Sequence, residues 1–305
     1  MTKIFVLSCV LLLAASGFVH GSHEKKKDHI RLFELKKGDL SIKVTNWGAT
    51  LVSVILPDKH GVLGDIVLGY DSPLAYTNDS SYFGATVGRI GFPGDLLVSV
   101  SYILGKNSLS IIMKAKALNK ATPVNLLNHA YWNLGNHNSG NILNEVVQIF
   151  GSQVTLFDDN LIPTGKFASV KGTPYDFLEP HTVGERINQL AKTNGYNTNY
   201  VLDGAKGKET KLGAIVVDKK SGRVMKLFTN APGLQFYTAN FVKNEKGKGG
   251  FVYQPRSALC LESQAFPDSV NHPNFPSTIV TPQNPYKHVL LLKFSTKIPH
   301  AFSHF

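Results

Sequence analysis

What most restricts the fold of this chain is the shortness of its apolar runs, which alternate or are β-branched and are punctuated by turn residues. Leu40 to Thr45 alternates, Thr50 to Leu56 is closed by Pro57-Asp58, and Ile66 to Tyr70 is a third short run. Leu96 to Leu104 and Leu109 to Ala115 flank Gly105-Lys106-Asn107, which has the composition of a hairpin turn. The rhythm continues through Val146 to Phe150, Gln153 to Phe157, Gly213 to Val217, Val224 to Thr229, Leu234 to Thr238, Ala258 to Leu261 and Val289 to Phe294. Runs of this length suit strands, whereas helices need longer stretches with a 3.6-residue period. Only Thr182 to Leu190 reads as a helix, with Thr182 as N-cap and Glu185 at the capping-box position. Strands and helices do not alternate, and no repeat of fixed period is present. The expected fold is all-β, one large antiparallel β-sandwich spanning residues 23–305 with few short helices. A hydrophobic content of 43% supplies its core.

The N-terminus has a different texture. A positive Met1-Thr2-Lys3 precedes an apolar run from Ile4 to Ala15, and small residues follow at Ser16, Gly21 and Ser22. This pattern reads as a secretory signal peptide over residues 1–22, with a buried helix or a membrane anchor as the alternatives. No later run reaches the about 18 apolar residues of a membrane span. The mature protein is therefore expected to be secreted, off the membrane, and monomeric. Cys9 falls in the leader and leaves Cys260 as the sole thiol, so no internal disulfide is expected. Asn78-Asp79-Ser80 is a glycosylation acceptor triplet for an exported chain. The net charge of +11 is spread over short groups such as Lys25 to Lys27 and Lys36-Lys37. No Arg-rich run or aromatic-interleaved basic helix accompanies it, which argues against nucleic acid as a partner.

Three polar clusters exceed what a plain sandwich needs. In Asn128-His129-Ala130-Tyr131-Trp132-Asn133, His129 is either a strand-edge histidine or a fixed proton donor, and the aromatics and amides suit the faces and hydroxyls of a sugar. Glu262 ends the apolar run of Leu259-Cys260-Leu261, either as an exposed strand end or as a buried base with a raised pKa. Gln235, in Gly233 to Thr238, is a candidate hydroxyl ligand or an ordinary strand residue.

Taken with Asn46 to Leu51, Asp65 to Tyr70 and Tyr82 to Ala85, these clusters form six blocks in an order that resembles the aldose 1-epimerase (galactose mutarotase) family. The resemblance implies that family's large antiparallel β-sandwich, an isomerase activity on the anomers of free hexoses such as glucose and galactose, and no cofactor or metal. It further implies Glu262 as base and His129 as acid, with Tyr131, Asn197 and Gln235 holding sugar hydroxyls. Two departures from the family pattern stand out. Arg89-Ile90 runs directly into Gly91-Phe92-Pro93, so a block of roughly 50–70 residues, several strand–turn units, is missing. With it go an Asn-Arg pair and a second histidine, which leaves Arg89 as the one candidate to replace the lost arginine. Asn197 stands where the family has Asp, and Asp203 lies outside the motif position. A sugar-binding homologue without turnover is therefore the competing expectation, and epimerisation of a phosphorylated hexose a third, prompted by the positive charge.

Overall fold

The computed structural model describes residues 30–88, 92–204 and 209–302 in full and the backbone of residues 6–13. Every strand pairing in it is antiparallel. An eight-stranded sheet, a six-stranded sheet and a four-stranded sheet carry the architecture, with three two-stranded pairs at their margins. The expected sandwich is thus present, and no α-helix occurs among the described residues.

Period-two alternation builds the core. Val98, Val100, Tyr102 and Leu104 point inward from one strand of the large sheet, and Leu109, Ile111, Met113 and Ala115 from its hairpin partner. They meet Leu234, Phe236, Leu259 and Leu261 from the six-stranded sheet and Ile42, Val44, Leu51 and Val54 from the four-stranded one. Burial of so many large side chains, each worth roughly 1.5–3 kcal/mol, is what joins the three sheets.

Two expected elements are replaced. Thr182 to Leu190 is not a helix: His181–Thr182 pairs with Val146 and Val147 as a sheet edge, and Ile187–Gln189 forms a single 3₁₀ turn. The segment's amides bond outward, Val183 to the Glu145 carbonyl and Gly184 to the Leu143 carbonyl, so no helical ladder can start. Glu185 bonds the His181 ring at 2.9 Å and takes no part in a capping box. Ile66 to Tyr70 is likewise no strand. It stitches two sheets together, with the Ile66 amide on Val54, the Leu68 amide on Tyr131 and one isolated bridge between Val67 and Trp132.

Of the expected leader, residues 1–5 and 14–22 lie outside the described residues. Val6–Leu13 is a strand paired along Leu96–Leu104 at one end of the large sheet. No helix among the described residues is long and apolar enough to cross a membrane.

Candidate active site

The candidate site lies on the outer face of the six-stranded sheet. Leu259–Gln264 runs between Tyr131–Trp132 and Gly233–Tyr237, and the latter pairs onward with Asn197–Val201. Because side chains alternate, Leu259, Leu261, Leu234, Phe236, Tyr200 and Trp132 all enter the core. Cys260, Glu262, Gln264, Gln235, Tyr237, Asn197 and Asn199 are left on the opposite face. The register completes the set by placing Gln235 beside Glu262 and Asn199 beside Gln235.

A cavity of about 510 Å³ opens on this face. Its lining includes all five residues singled out from sequence: His129, Glu262, Tyr131, Asn197 and Gln235. It also includes residues the sequence reading missed. Tyr237 and Gln264 each lie two positions beyond a residue already identified, so period-two extension would have found them. Ser80, Tyr82 and Phe241 come from loops that only tertiary packing brings to the rim. Tyr82 is 55% and Phe241 66% exposed, which leaves aromatic faces free to meet the C–H face of a sugar ring.

Nε2 of His129 lies 3.5 Å from Oε1 of Glu262, and the two side chains are only 17% and 7% exposed. Burial disfavours the charged form of each, lowering His129 to about 4 and raising Glu262 to about 8. The resting pair therefore holds one proton, as a carboxylic acid beside a neutral imidazole. The His129 ring stacks on Tyr131 at 5.0 Å, with Tyr237 edge-on at 6.4 Å. The backbone around it is clamped from both sides: Gly84 N–H donates to the His129 carbonyl, and His129 N–H donates to the Ala85 carbonyl, each at 2.9 Å. Gly84 has φ +68°, and a Cβ there would stand 2.0 Å from the Leu51 carbonyl oxygen, so the clamp requires glycine.

Beside the pair runs a ladder of amides. Gln235 Nε2 donates to Asn197 Oδ1 at 2.8 Å, and Gln264 Nε2 donates to Asn199 Oδ1 at 3.3 Å. The amides of Asn128 and Asn133 have a different use from the sugar contact their motif suggested. Asn128 holds the Gly84 carbonyl, and Asn133 holds the carbonyls of Gly140 and Ser257. Asp203 accepts from Ser152 on the surface and stays away from the cleft. Arg89 lies outside the described residues.

A family model described as aldose 1-epimerase matches residues 31–90 and 89–293, two segments that meet where Arg89 and Ile90 stand. Galactose mutarotase of Mus musculus is 33% identical over 326 aligned positions, which take in 87% of this chain and 94% of that protein. Since 87% of 305 residues is about 265, about 60 of those positions have no residue here. Aldose 1-epimerase of Escherichia coli is 28% identical over 81% of this chain and 89% of its own length. Among solved structures, an aldose epimerase homologue from C. elegans superposes with a TM-score of 0.80 at 22% identity, covering 87% of this chain and 99% of that one. A galactose 1-epimerase from Lactobacillus acidophilus superposes at 0.75 with 20% identity, covering 95% and 99%. The match over most of the chain, with a cleft holding the residues its motifs pointed to, places this chain in the aldose 1-epimerase family.

Proposed function

We propose that the chain interconverts the α and β anomers of a free hexose, with His129 and Glu262 as the proton-transfer pair. The observation that carries this is the 3.5 Å approach of a partly buried imidazole and a buried carboxyl group in the sugar-sized cleft. The ring oxygen and the anomeric hydroxyl of a pyranose share one carbon, so the groups serving them must also lie side by side. In the ion-pair tautomer, Glu262 takes the proton of the anomeric hydroxyl while His129 protonates the ring oxygen. The bond between the anomeric carbon and the ring oxygen breaks, and the open-chain aldehyde is left beside a carboxylic acid and a neutral imidazole. After the aldehyde turns about one bond, the same protons return and the ring closes on the other face. Both tautomers of the pair carry one proton, so the cycle needs none from solvent. Burial favours the tautomer that accompanies the open aldehyde. Acid–base groups so placed contribute about 10²–10⁴-fold each.

Tyr131, Gln235 and Asn197 hold the sugar hydroxyls, and the exposed faces of Tyr82 and Phe241 flank the ring. Residues 1–22 serve as a leader for export, and Asn78, exposed just before the cavity residue Ser80, carries a glycan at the rim of the cleft. A second reading, sugar binding without turnover, draws on Asn197 and on the two-segment family match, which supports a missing block. Polarimetry on freshly dissolved α-D-glucose and α-D-galactose separates them. Wild type is expected to exceed the spontaneous rate, with Glu262→Gln about 10²–10⁴-fold slower than wild type. A wild-type rate equal to the buffer blank leaves only the binding reading, which calorimetric titration with the same sugars then tests.

A further inference from the structure

Cys260 takes no part in the acid–base scheme, yet it shares the cleft-facing side of its strand with Glu262. It is fully buried, paired on one side with Tyr131 and on the other with Tyr237. Among the described residues, one group of three metal-ligating side chains converges: His129, Cys260 and Glu262, with ligand atoms all within 4.8 Å of one another. Tetrahedral zinc, at about 2.3 Å from sulfur and about 2.0–2.2 Å from nitrogen and oxygen, holds neighbouring ligand atoms roughly 3.3–3.7 Å apart. The 3.5 Å gap between His129 and Glu262 already has that width. One further observation fits a ligand: the closest ion-pair contact of the largely buried Glu262 carboxylate is the 3.5 Å approach to Nε2 of His129.

We propose that this trio is an inhibitory site for a thiophilic divalent cation, zinc fitting best. A thiolate with an imidazole and one carboxylate selects zinc and similar borderline ions over magnesium or calcium, which prefer all-oxygen shells. Binding releases two protons to solvent, the one shared by His129 and Glu262 and the one on the Cys260 thiol. With three protein ligands and an open cavity lined by two of them, His129 and Glu262, a water fills the fourth position. Once the ion is bound, neither His129 nor Glu262 is free to move a proton. The consequence for turnover rests on the proposed function, whereas binding of the ion does not.

Cobalt(II) is the probe, because thiolate ligation gives it a charge-transfer band in the near ultraviolet. Titrating the full chain is expected to raise a saturable band that zinc displaces and that Cys260→Ser abolishes. In polarimetry, zinc is expected to inhibit wild type, while Cys260→Ser keeps its basal rate and needs about tenfold more zinc or beyond. Cys260→Ala, checked for folding by near-ultraviolet circular dichroism, replaces the serine variant if that one does not fold. Absence of the band in wild type, or equal zinc inhibition with and without Cys260, overturns the proposal. If the chain shows no turnover at all, the cobalt band still reads the site, so the two readings fail separately.

Discussion

His288 makes the stability of this chain depend on pH, by an amount that follows from its surroundings. It is 2% exposed, on a strand of the large sheet directly behind the face that carries the candidate site. Its Nδ1 lies 3.0 Å from the Leu126 carbonyl, which only accepts, so Nδ1 carries the hydrogen. Nε2 then accepts from the hydroxyls of Ser263 at 2.9 Å and Thr229 at 3.2 Å. Burial lowers its pKa from 6.5 to about 4. The folded protein therefore binds fewer protons here than the unfolded chain between about pH 4 and 6.5, and stability rises with pH across that window. A difference of about 2.5 units at about 1.4 kcal/mol each gives about 3 kcal/mol in all, of which about 2 kcal/mol is already lost by pH 5. Denaturant titrations of wild type and His288→Asn at pH 7.5 and pH 5 measure it. The variant keeps a donor for Leu126 and removes the titration. His129 titrates in the same window and Glu262 in the opposite sense between about 4.5 and 8, but both are common to the two proteins. The difference between the slopes therefore isolates His288. Parallel stability profiles for the two proteins would refute the argument.

Gly84→Ala is expected to cost about 2–5 kcal/mol, from a left-handed non-glycine residue together with a clash against strand backbone that cannot move aside. Gly172→Ala, at φ +74° with nothing within 4 Å, is the control: it should lose only about 1–2 kcal/mol and no activity. Thermal melts compare the two, and equal losses would mean that the Leu51 carbonyl yields. Asn197→Asp should strengthen a sugar hydrogen bond by about 1 kcal/mol, lowering KM for hexose about fivefold in polarimetry. An unchanged KM would place Asn197 off the sugar.

The strands of the core were legible because a pleated, half-buried strand writes its period directly into the sequence. Leu96 to Leu104 and the hairpin after it fall where alternation put them. The segment from Thr182 was misread because capping signals describe local preference, while its amides were claimed by Leu143 and Glu145 from a distant turn. The same limit governs the site. Alternation on three adjacent strands suffices to carry Glu262, Gln235 and Asn197 to one face. What alternation cannot state is which neighbour each amide meets, so Asn128 and Asn133 passed for sugar contacts while they bind backbone. Tyr82 and Phe241 sit on loops whose approach to the cleft depends on how separate sheets pack, and no local pattern encodes that.

Export and sheet structure pull in opposite directions at the N-terminus. The backbone of Val6–Leu13 pairs in unbroken register along Leu96–Leu104, from Val6 opposite Ile103 to Leu13 opposite Leu96. The other neighbour of Leu96–Leu104 is its hairpin partner, so removing residues 1–22 uncovers one whole edge of the sheet. That edge, Leu-Leu-Val-Ser-Val-Ser-Tyr-Ile-Leu, has neither a charge nor a proline, the two devices that usually keep edges from pairing. It is also close to self-complementary. Turned antiparallel about Val100, it sets Leu96 against Leu104, Leu97 against Ile103, Val98 against Tyr102 and Ser99 against Ser101. Cross-strand pairs of this kind contribute about 0.2–1 kcal/mol each. A chain beginning at His23 is therefore expected to self-associate through this edge at micromolar concentration. Leu97→Lys with Ser99→Lys, both at half-buried positions on the outward side of the strand, should return the shortened chain to monomer with its fold intact. Light scattering coupled to size exclusion reads the mass. A shortened wild-type chain that stays monomeric would show that the edge is covered by something other than the leader, and would remove the tension between export and the fold.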